Sequence, residues 1–277
     1  MKLTLPVGLA ALSVLPLLSL GACAALGGGS KTYEVEAHEL AYDAGGVPLT
    51  GYLARPIDAA GARPGVIVVH EWWGHNDYVR QRAEQLAALG YVAFALDMYG
   101  DGKTAAHPTD AGAFMQEVMG NAAVMEARFR AALAVLRRVD GVDPAKTAAI
   151  GYCMGGGIVL RMARTTAELD CVASFHGSLG AALGLADAGH VQRVLLANGA
   201  ADPFVPKETV DALSKELMAM PGVRQVAVFN YPGVTHGFTN PAATQKGEEF
   251  GLPLRYDADA DKASWAELEK LLRATFE

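Results

Sequence analysis

The residues best suited to chemistry in this sequence follow short apolar runs. Cys153 lies between Gly151 and Gly155, after the apolar pair Ala149-Ile150 and before a second apolar run from Ile158. This pattern predicts a strand, a sharp turn and a helix, because side chains at the two glycines would collide with the neighbouring elements. Backbone N–H groups at the start of the helix would favour a thiolate and could hold an oxyanion. Cys153 is therefore a candidate nucleophile. The alternatives are a buried structural cysteine and, less compatible with the spacing, a phosphate-binding turn.

Two further loops supply an acid and a base. Asp202 follows the predicted strand 194–199, and His236 follows the predicted strand 225–229. His236 could accept the thiol proton and return it to a leaving group, while Asp202 would fix the tautomer of the imidazole. The order nucleophile, acid, histidine is typical of a nucleophilic triad on a parallel sheet. A surface or core histidine and a helix N-cap aspartate are the alternatives.

The elements that must position these residues alternate between strands and helices. An antiparallel pair, 31–37 and 47–54, is predicted around Gly45-Gly46, and further strands are predicted at 64–70, 91–96, 171–175, 194–199 and 225–229. Helices are predicted at 77–90, 109–138, 206–220 and 260–276. This alternation predicts an α/β fold with a mostly parallel central sheet and helices on both faces. Ligands of such sheets bind at the carboxyl ends of the strands.

The composition limits the classes of partner. The chain has 277 residues, a net charge of −7 and 51% hydrophobic residues. This length and hydrophobic content suit one large globular domain. The acidic balance and the lack of a basic cluster argue against a nucleic-acid partner.

The N-terminal segment is typical of an export signal. Lys2 precedes an apolar run at 3–20 that ends in Leu20-Gly21-Ala22-Cys23. The ending resembles a bacterial lipobox, in which the cysteine is lipidated and becomes the first mature residue. An ordinary signal peptide or an uncleaved anchor are the alternatives.

This signal divides the chain into three parts. We expect a signal peptide at 1–22, a flexible tether at 23–31 and a catalytic domain at 32–277. Cys23 would then anchor an exported, periplasmic or cell-envelope lipoprotein to a membrane.

The other two cysteines have different expected roles. A Cys153–Cys171 disulfide is possible in an oxidising compartment. However, Cys171 opens the predicted strand 171–175 and is more simply explained as a small core residue.

Three motifs together resemble the dienelactone hydrolase family. They are Gly151-Tyr152-Cys153-Met154-Gly155-Gly156, the segment with Asp202-Pro203 and Val205-Pro206, and His236-Gly237-Phe238. The resemblance implies an α/β-hydrolase fold and a monomer that hydrolyses small-molecule esters or lactones. It also implies a Cys-His-Asp triad that needs neither metal nor cofactor.

The same resemblance gives roles to the loop after the first parallel strand. Glu71 matches a buried glutamate that hydrogen-bonds the resting thiol and helps to activate it. The oxyanion hole would consist of the backbone N–H groups of Met154 and Trp72, which follow the nucleophile and the glutamate. The rings of Trp72 and Trp73 would line the acyl pocket or pack in the core.

The sequence lacks the residues that bind the carboxylate of the substrate in dienelactone hydrolases. Two arginines that hold this group in dienelactone hydrolases have no counterpart after His236, or between Lys103 and Arg128. A neutral ester or lactone is therefore the expected substrate. An apolar pocket could include five side chains that core packing also explains: Tyr78, Tyr99, Phe114, Met119 and Met154. Acyl transfer, or a non-catalytic, lipid-anchored binding or envelope protein, are the alternative functions.

Overall fold

The sheet is built from strands whose alternate residues face opposite layers. The computed structural model describes residues 32–165 and 168–277. Among these residues the strands are β1 (Val35–Asp43), β2 (Pro48–Pro56), β3 (Arg63–Val69), β4 (Val92–Ala95), β5 (Val142–Tyr152), β6 (Cys171–Phe175), β7 (Arg193–Gly199) and β8 (Gln225–Tyr231). Their order is β1-β2-β4-β3-β5-β6-β7-β8. β2 is antiparallel to β1 and β4, whereas β4, β3 and β5 to β8 are parallel.

Helices cover both faces of the sheet. They are α1 (Asp77–Ala88), α2 (Pro108–Met119), α3 (Ala122–Leu136), α4 (Met154–Thr165), α5 (Lys207–Ala219), α6 (Ala243–Phe250) and α7 (Ala258–Phe276). Ile67 and Val69 of β3 belong to a core cluster with α3, α4 and α5. Val66 and Val68 belong to a second cluster with α1 and α7. Because neighbouring residues of a strand face opposite sides, one apolar run supplies both cores. The predicted α/β class and mostly parallel sheet are confirmed.

Two predicted elements were wrong in detail, and one helix was not predicted. The single helix expected at 109–138 is two helices, because α2 ends at Gly120 and Asn121 caps α3 by accepting a hydrogen bond from the Val124 N–H (3.2 Å). β1 begins at Val35 and continues to Asp43, beyond the predicted end. Helix α6 was not predicted, since its apolar residues are few.

The predicted signal peptide, Cys23 and tether lie outside the described residues. Within 32–165 and 168–277, no helix is both long and apolar enough to cross a bilayer. Cys153 and Cys171 are both free thiols, so the alternative of a disulfide between them is wrong. Cys171 is fully buried opposite Ala148 of β5, as a core residue should be.

Candidate active site

Cys153 occupies a sharp turn between β5 and α4. Its φ is +53°, a left-handed conformation that residues other than glycine rarely adopt. A Cβ added to Gly151 would lie 2.1 Å from the Gly155 carbonyl oxygen, and one added to Gly155 would lie 2.4 Å from that of Val69. The Cys153 N–H donates to the carbonyl of Phe175 at 3.0 Å, which fixes the turn to β6. The predicted strand, turn and helix are confirmed, and both glycines are required by close packing.

The acid and the histidine meet at the same edge of the sheet. Nδ1 of His236 donates to Oδ2 of Asp202 at 2.7 Å, and both residues are buried. Oδ1 of Asp202 accepts from the backbone N–H of Phe204 at 2.8 Å. Because Nδ1 carries the shared proton, Nε2 of His236 is the nitrogen left for a reacting group.

The pKa of His236 depends on Cys153 as well as on Asp202. Burial by itself would lower the pKa of His236. However, the charge of Cys153 and the hydrogen bonds with Asp202 and Cys153 raise that pKa to about 10. The structure therefore brings Cys153, Asp202 and His236 together, and it favours an imidazolium beside the sulfur.

Glu71 is buried as expected but has a different partner. Nδ2 of Asn240 donates to Oε2 of Glu71 at 2.6 Å. Burial raises the pKa of the Glu71 carboxyl, and the contacts with Asn240 and the positive charge of His236 offset this rise only in part. In the described residues this carboxyl is hydrogen-bonded to Asn240, while the Cys153 thiol faces His236. The hydrogen bond between Glu71 and the thiol that the resemblance implies is not formed here.

The two amides expected to hold an oxyanion are oriented by their neighbours. Met154 is the first residue of α4, and neither its N–H nor that of Trp72 donates to an acceptor in the described part of the chain. Nδ1 of His70 donates to the carbonyl of Glu71 at 2.6 Å, and its Nε2 accepts from the N–H of Met98 at 3.2 Å. Burial lowers the pKa of His70 to about 4, so the ring is neutral at pH 7. Since the Glu71 carbonyl and the Trp72 N–H belong to one peptide unit, His70 sets the direction of that N–H.

A cavity of about 310 Å³ opens above the thiol. Cys153 and His236 line it with one hydroxyl and five large apolar side chains, namely Ser178, Trp72, Met115, Phe204, Leu252 and Leu254. This lining has no Lys, Arg, Asp or Glu. The five residues expected as an alternative apolar lining instead belong to the two cores or pack against them: Tyr78, Tyr99, Phe114, Met119 and Met154. Among the described residues, no group of three His, Cys, Asp or Glu side chains could hold a metal ion.

Sequence reasoning missed a buried polar network behind His236. The ring of His176 lies edge-on to that of His236, with 5.0 Å between centroids. Oγ1 of Thr239 lies 2.8 Å from Nε2 of His176 and 2.6 Å from the Tyr78 hydroxyl. Arg82 donates to the Thr239 carbonyl at 2.6 Å. His176 directly follows β6, and a polar residue at the end of a buried strand was the signal available for it.

The sheet order, the turn at Cys153 and the acid–histidine pair define an α/β-hydrolase. The sequence profile of the dienelactone hydrolase family matches residues 49–276, and the chain belongs to this family. It is a hydrolase that acts on ester or lactone bonds.

Similar proteins cover most of the chain. "Protein usf" from Aquifex pyrophilus is 32% identical over 220 residues, which are 77% of this chain and 90% of the relative. A protein of Aquifex aeolicus (strain VF5) with the name "Putative carboxymethylenebutenolidase" is 30% identical over 205 residues, 72% of this chain and 85% of the relative. The crystal structure of a dienelactone hydrolase-like promiscuous phosphotriesterase from metagenomic libraries superposes with a TM-score of 0.77 at 32% identity, covering 88% of this chain and 99% of that one.

Proposed function

We propose that the protein hydrolyses neutral carboxylic esters or lactones through a thioester intermediate on Cys153. The observation that carries this proposal is the position of Cys153, on a strained turn in one cavity with His236, whose imidazole is bonded to Asp202. An oriented imidazole beside a thiol can take its proton and so generate the thiolate that attacks an acyl carbon.

The first half-reaction acylates the cysteine. Sγ of Cys153 attacks the carbonyl carbon, and the new oxyanion accepts hydrogen bonds from the N–H groups of Met154 and Trp72. When the tetrahedral intermediate collapses, the carbon–oxygen bond breaks and His236 gives its proton to the leaving oxygen. Asp202 keeps the imidazole oriented and stabilises its positive charge.

The second half-reaction releases the acid. His236, now neutral, takes a proton from water as the water oxygen attacks the thioester carbonyl. Collapse breaks the carbon–sulfur bond and restores thiolate and imidazolium. Glu71, buried and bonded to Asn240, stabilises the positive charge on His236 whenever its carboxyl is ionised.

The cavity favours a substrate without charge. Its lining is apolar apart from Ser178 and the catalytic pair, and it has no lysine or arginine that could pair with a substrate carboxylate. For a given dicarboxylic acid, we expect the dimethyl ester to be preferred over the monomethyl ester, which keeps one free carboxylate, by about tenfold or more in kcat/KM. Equal rates on the two compounds would contradict this preference.

The experiment for the intermediate is intact-mass analysis of enzyme quenched during turnover of p-nitrophenyl acetate. The Cys171→Ala variant serves as the matched background, because it leaves Cys153 as the one thiol within residues 32–277. An acetyl adduct is expected on the intact protein and, after digestion, on the peptide that contains Cys153. Unchanged turnover in Cys153→Ala, or no acetyl adduct, would contradict the proposal. New ester products after addition of alcohols would instead favour acyl transfer.

We further propose that Cys23 is lipidated and that the enzyme is membrane-anchored in the bacterial cell envelope. The support is the sequence alone, in which an apolar run ends in Leu20-Gly21-Ala22-Cys23. Globomycin should cause the precursor to accumulate, and Cys23→Ser should release the protein from membranes. Processing that is insensitive to both would contradict the anchor.

A further inference from the structure

Phe204 is an aromatic side chain that the core does not use. It is 55% exposed, while its neighbour Val205 is buried. Its ring lies edge-on to His236, with centroids 5.1 Å apart and planes at 89°, and it lines the cavity above Cys153. The Phe204 N–H donates to Asp202, so the aspartate that orients the histidine also fixes this residue. When a ligand covers a large apolar side chain at a cavity mouth, the side chain is removed from water, and this contributes favourably to the free energy of binding.

The sheet order separates the two sides of the cavity. β3, which precedes Trp72, is the neighbour of β5 on one side, and β7, which precedes Phe204, lies two strands from β5 on the other. Adjacent strands are about 4.8 Å apart, so Trp72 and Phe204 flank Cys153 from opposite directions. The substrate carbonyl oxygen must point to the oxyanion amides, and the leaving oxygen must point to His236. The alcohol part of the ester is therefore on the Phe204 side.

We propose that Phe204 determines specificity for the alcohol part of the substrate, by packing against an apolar or aromatic alcohol while Cys153 is acylated. The inference rests on the proposed cysteine mechanism. In that step the sulfur–carbon bond forms, the ester carbon–oxygen bond breaks, and the His236 proton leaves with the alcohol. Once the alcohol has left, Phe204 has no substrate group to contact, so deacylation does not depend on it.

The test uses acetate esters of methanol and benzyl alcohol, which share one acyl group. Phe204→Ala should lower kcat/KM for benzyl acetate about tenfold and for methyl acetate less than about twofold. Decay of the isolated acetyl-enzyme, followed by intact mass, should stay within about twofold of wild type. Phe204→Leu should restore most of the loss, because it restores apolar area.

Two control variants distinguish a role of Phe204 in substrate specificity from a role in orienting His236. Met218, an exposed apolar residue on α5, gives the matched surface variant Met218→Ala, which should leave all three rates unchanged. Met115 lines the cavity from α2, which follows β4, and β4 lies beyond β3 on the side of the sheet away from β7. Met115→Ala should therefore slow the two esters by similar factors.

The outcomes are distinguishable. If Phe204→Ala slows both esters equally, or slows acetyl-enzyme decay, Phe204 only supports His236, and this inference is overturned while the cysteine mechanism stands. If wild-type enzyme forms no acetyl-Cys153, the proposed function fails and this inference fails with it. A selective loss for the benzyl ester with unchanged deacylation supports both.

Discussion

Two cysteines at neighbouring strands have opposite environments. Cys171 begins β6, opposite Ala148 of β5, and burial raises the pKa of its thiol to about 12. Cys153 follows the last residue of β5, where the chain turns at φ +53° and the thiol lines a cavity with His236. The same side chain is inert packing in one position and a candidate nucleophile in the other. Under the proposed mechanism, the turn and the partner make Cys153 reactive, rather than the residue type alone.

The largest expected difference between the two cysteines is in turnover. Cys153→Ala removes the attacking atom, so kcat/KM for p-nitrophenyl acetate should fall on the order of 10⁴-fold. Cys171→Ala should change it less than about twofold. Equal losses in the two variants would remove the distinction on which the mechanism depends.

Asp202→Asn tests whether the partner, rather than the turn alone, activates Cys153. An amide in place of the carboxylate leaves the imidazolium unstabilised and allows the wrong tautomer, so kcat should fall on the order of 10³-fold. Labelling of Cys153 by iodoacetamide at pH 7 should slow as well, because a misoriented imidazole takes the thiol proton less readily. If labelling and turnover both stay at the wild-type level, Asp202 has only a local structural role.

The pH dependence of kcat/KM tests whether His236 is paired with Cys153. The pKa of His236 is raised to about 10, against an ordinary value near 6.5, so its proton is available to the leaving group up to about pH 10. We expect kcat/KM to fall about tenfold per pH unit above that value. Because the folded-state pKa is raised, the contribution of His236 to stability is full below about pH 6.5 and is lost as the pH rises through about 10. An alkaline limb centred near pH 7 would contradict the pairing with Cys153.

The smallest expected effect concerns Cys171. In the native enzyme iodoacetamide should label Cys153 and leave Cys171 unmodified until the protein unfolds, as peptide mapping with and without urea would show. Cys171→Ala should lower the free energy of unfolding by about 1 kcal/mol, because it removes a small buried side-chain group. Rapid native labelling of Cys171 would mean that β6 opens more readily than its burial indicates.

Local patterns were sufficient for much of the fold, and they named the three residues that we propose as the triad. Continuous apolar runs predicted the strands around Cys153, since a strand buried on both faces must be apolar throughout. Glycine spacing predicted the turn itself. The break at Gly120-Asn121 was readable from a capping asparagine after a glycine, and it was missed because helical periodicity continues on both sides.

The contacts between loops could not be predicted from local sequence patterns. The partner of Glu71 is Asn240, 169 residues away along the chain, and the two meet only because of the order in which the strands pair. The same holds for Thr239, which links His176 to Tyr78. Isolated apolar residues in loops carry no pattern that distinguishes a cavity wall from a core, which is why two leucines of the cavity were not predicted: Leu252 and Leu254.

The sequence by itself determined which residues could react, because glycine, cysteine, aspartate and histidine at strand ends have few other physical explanations in combination. The tertiary structure decided which of them touch. It turned Cys153 toward His236 and paired Glu71 with Asn240. It also left Phe204 exposed at the cavity mouth. The reason is that backbone periodicity is a local property, whereas a pKa, a hydrogen-bond partner and a cavity wall depend on groups that the sheet brings together from distant parts of the chain.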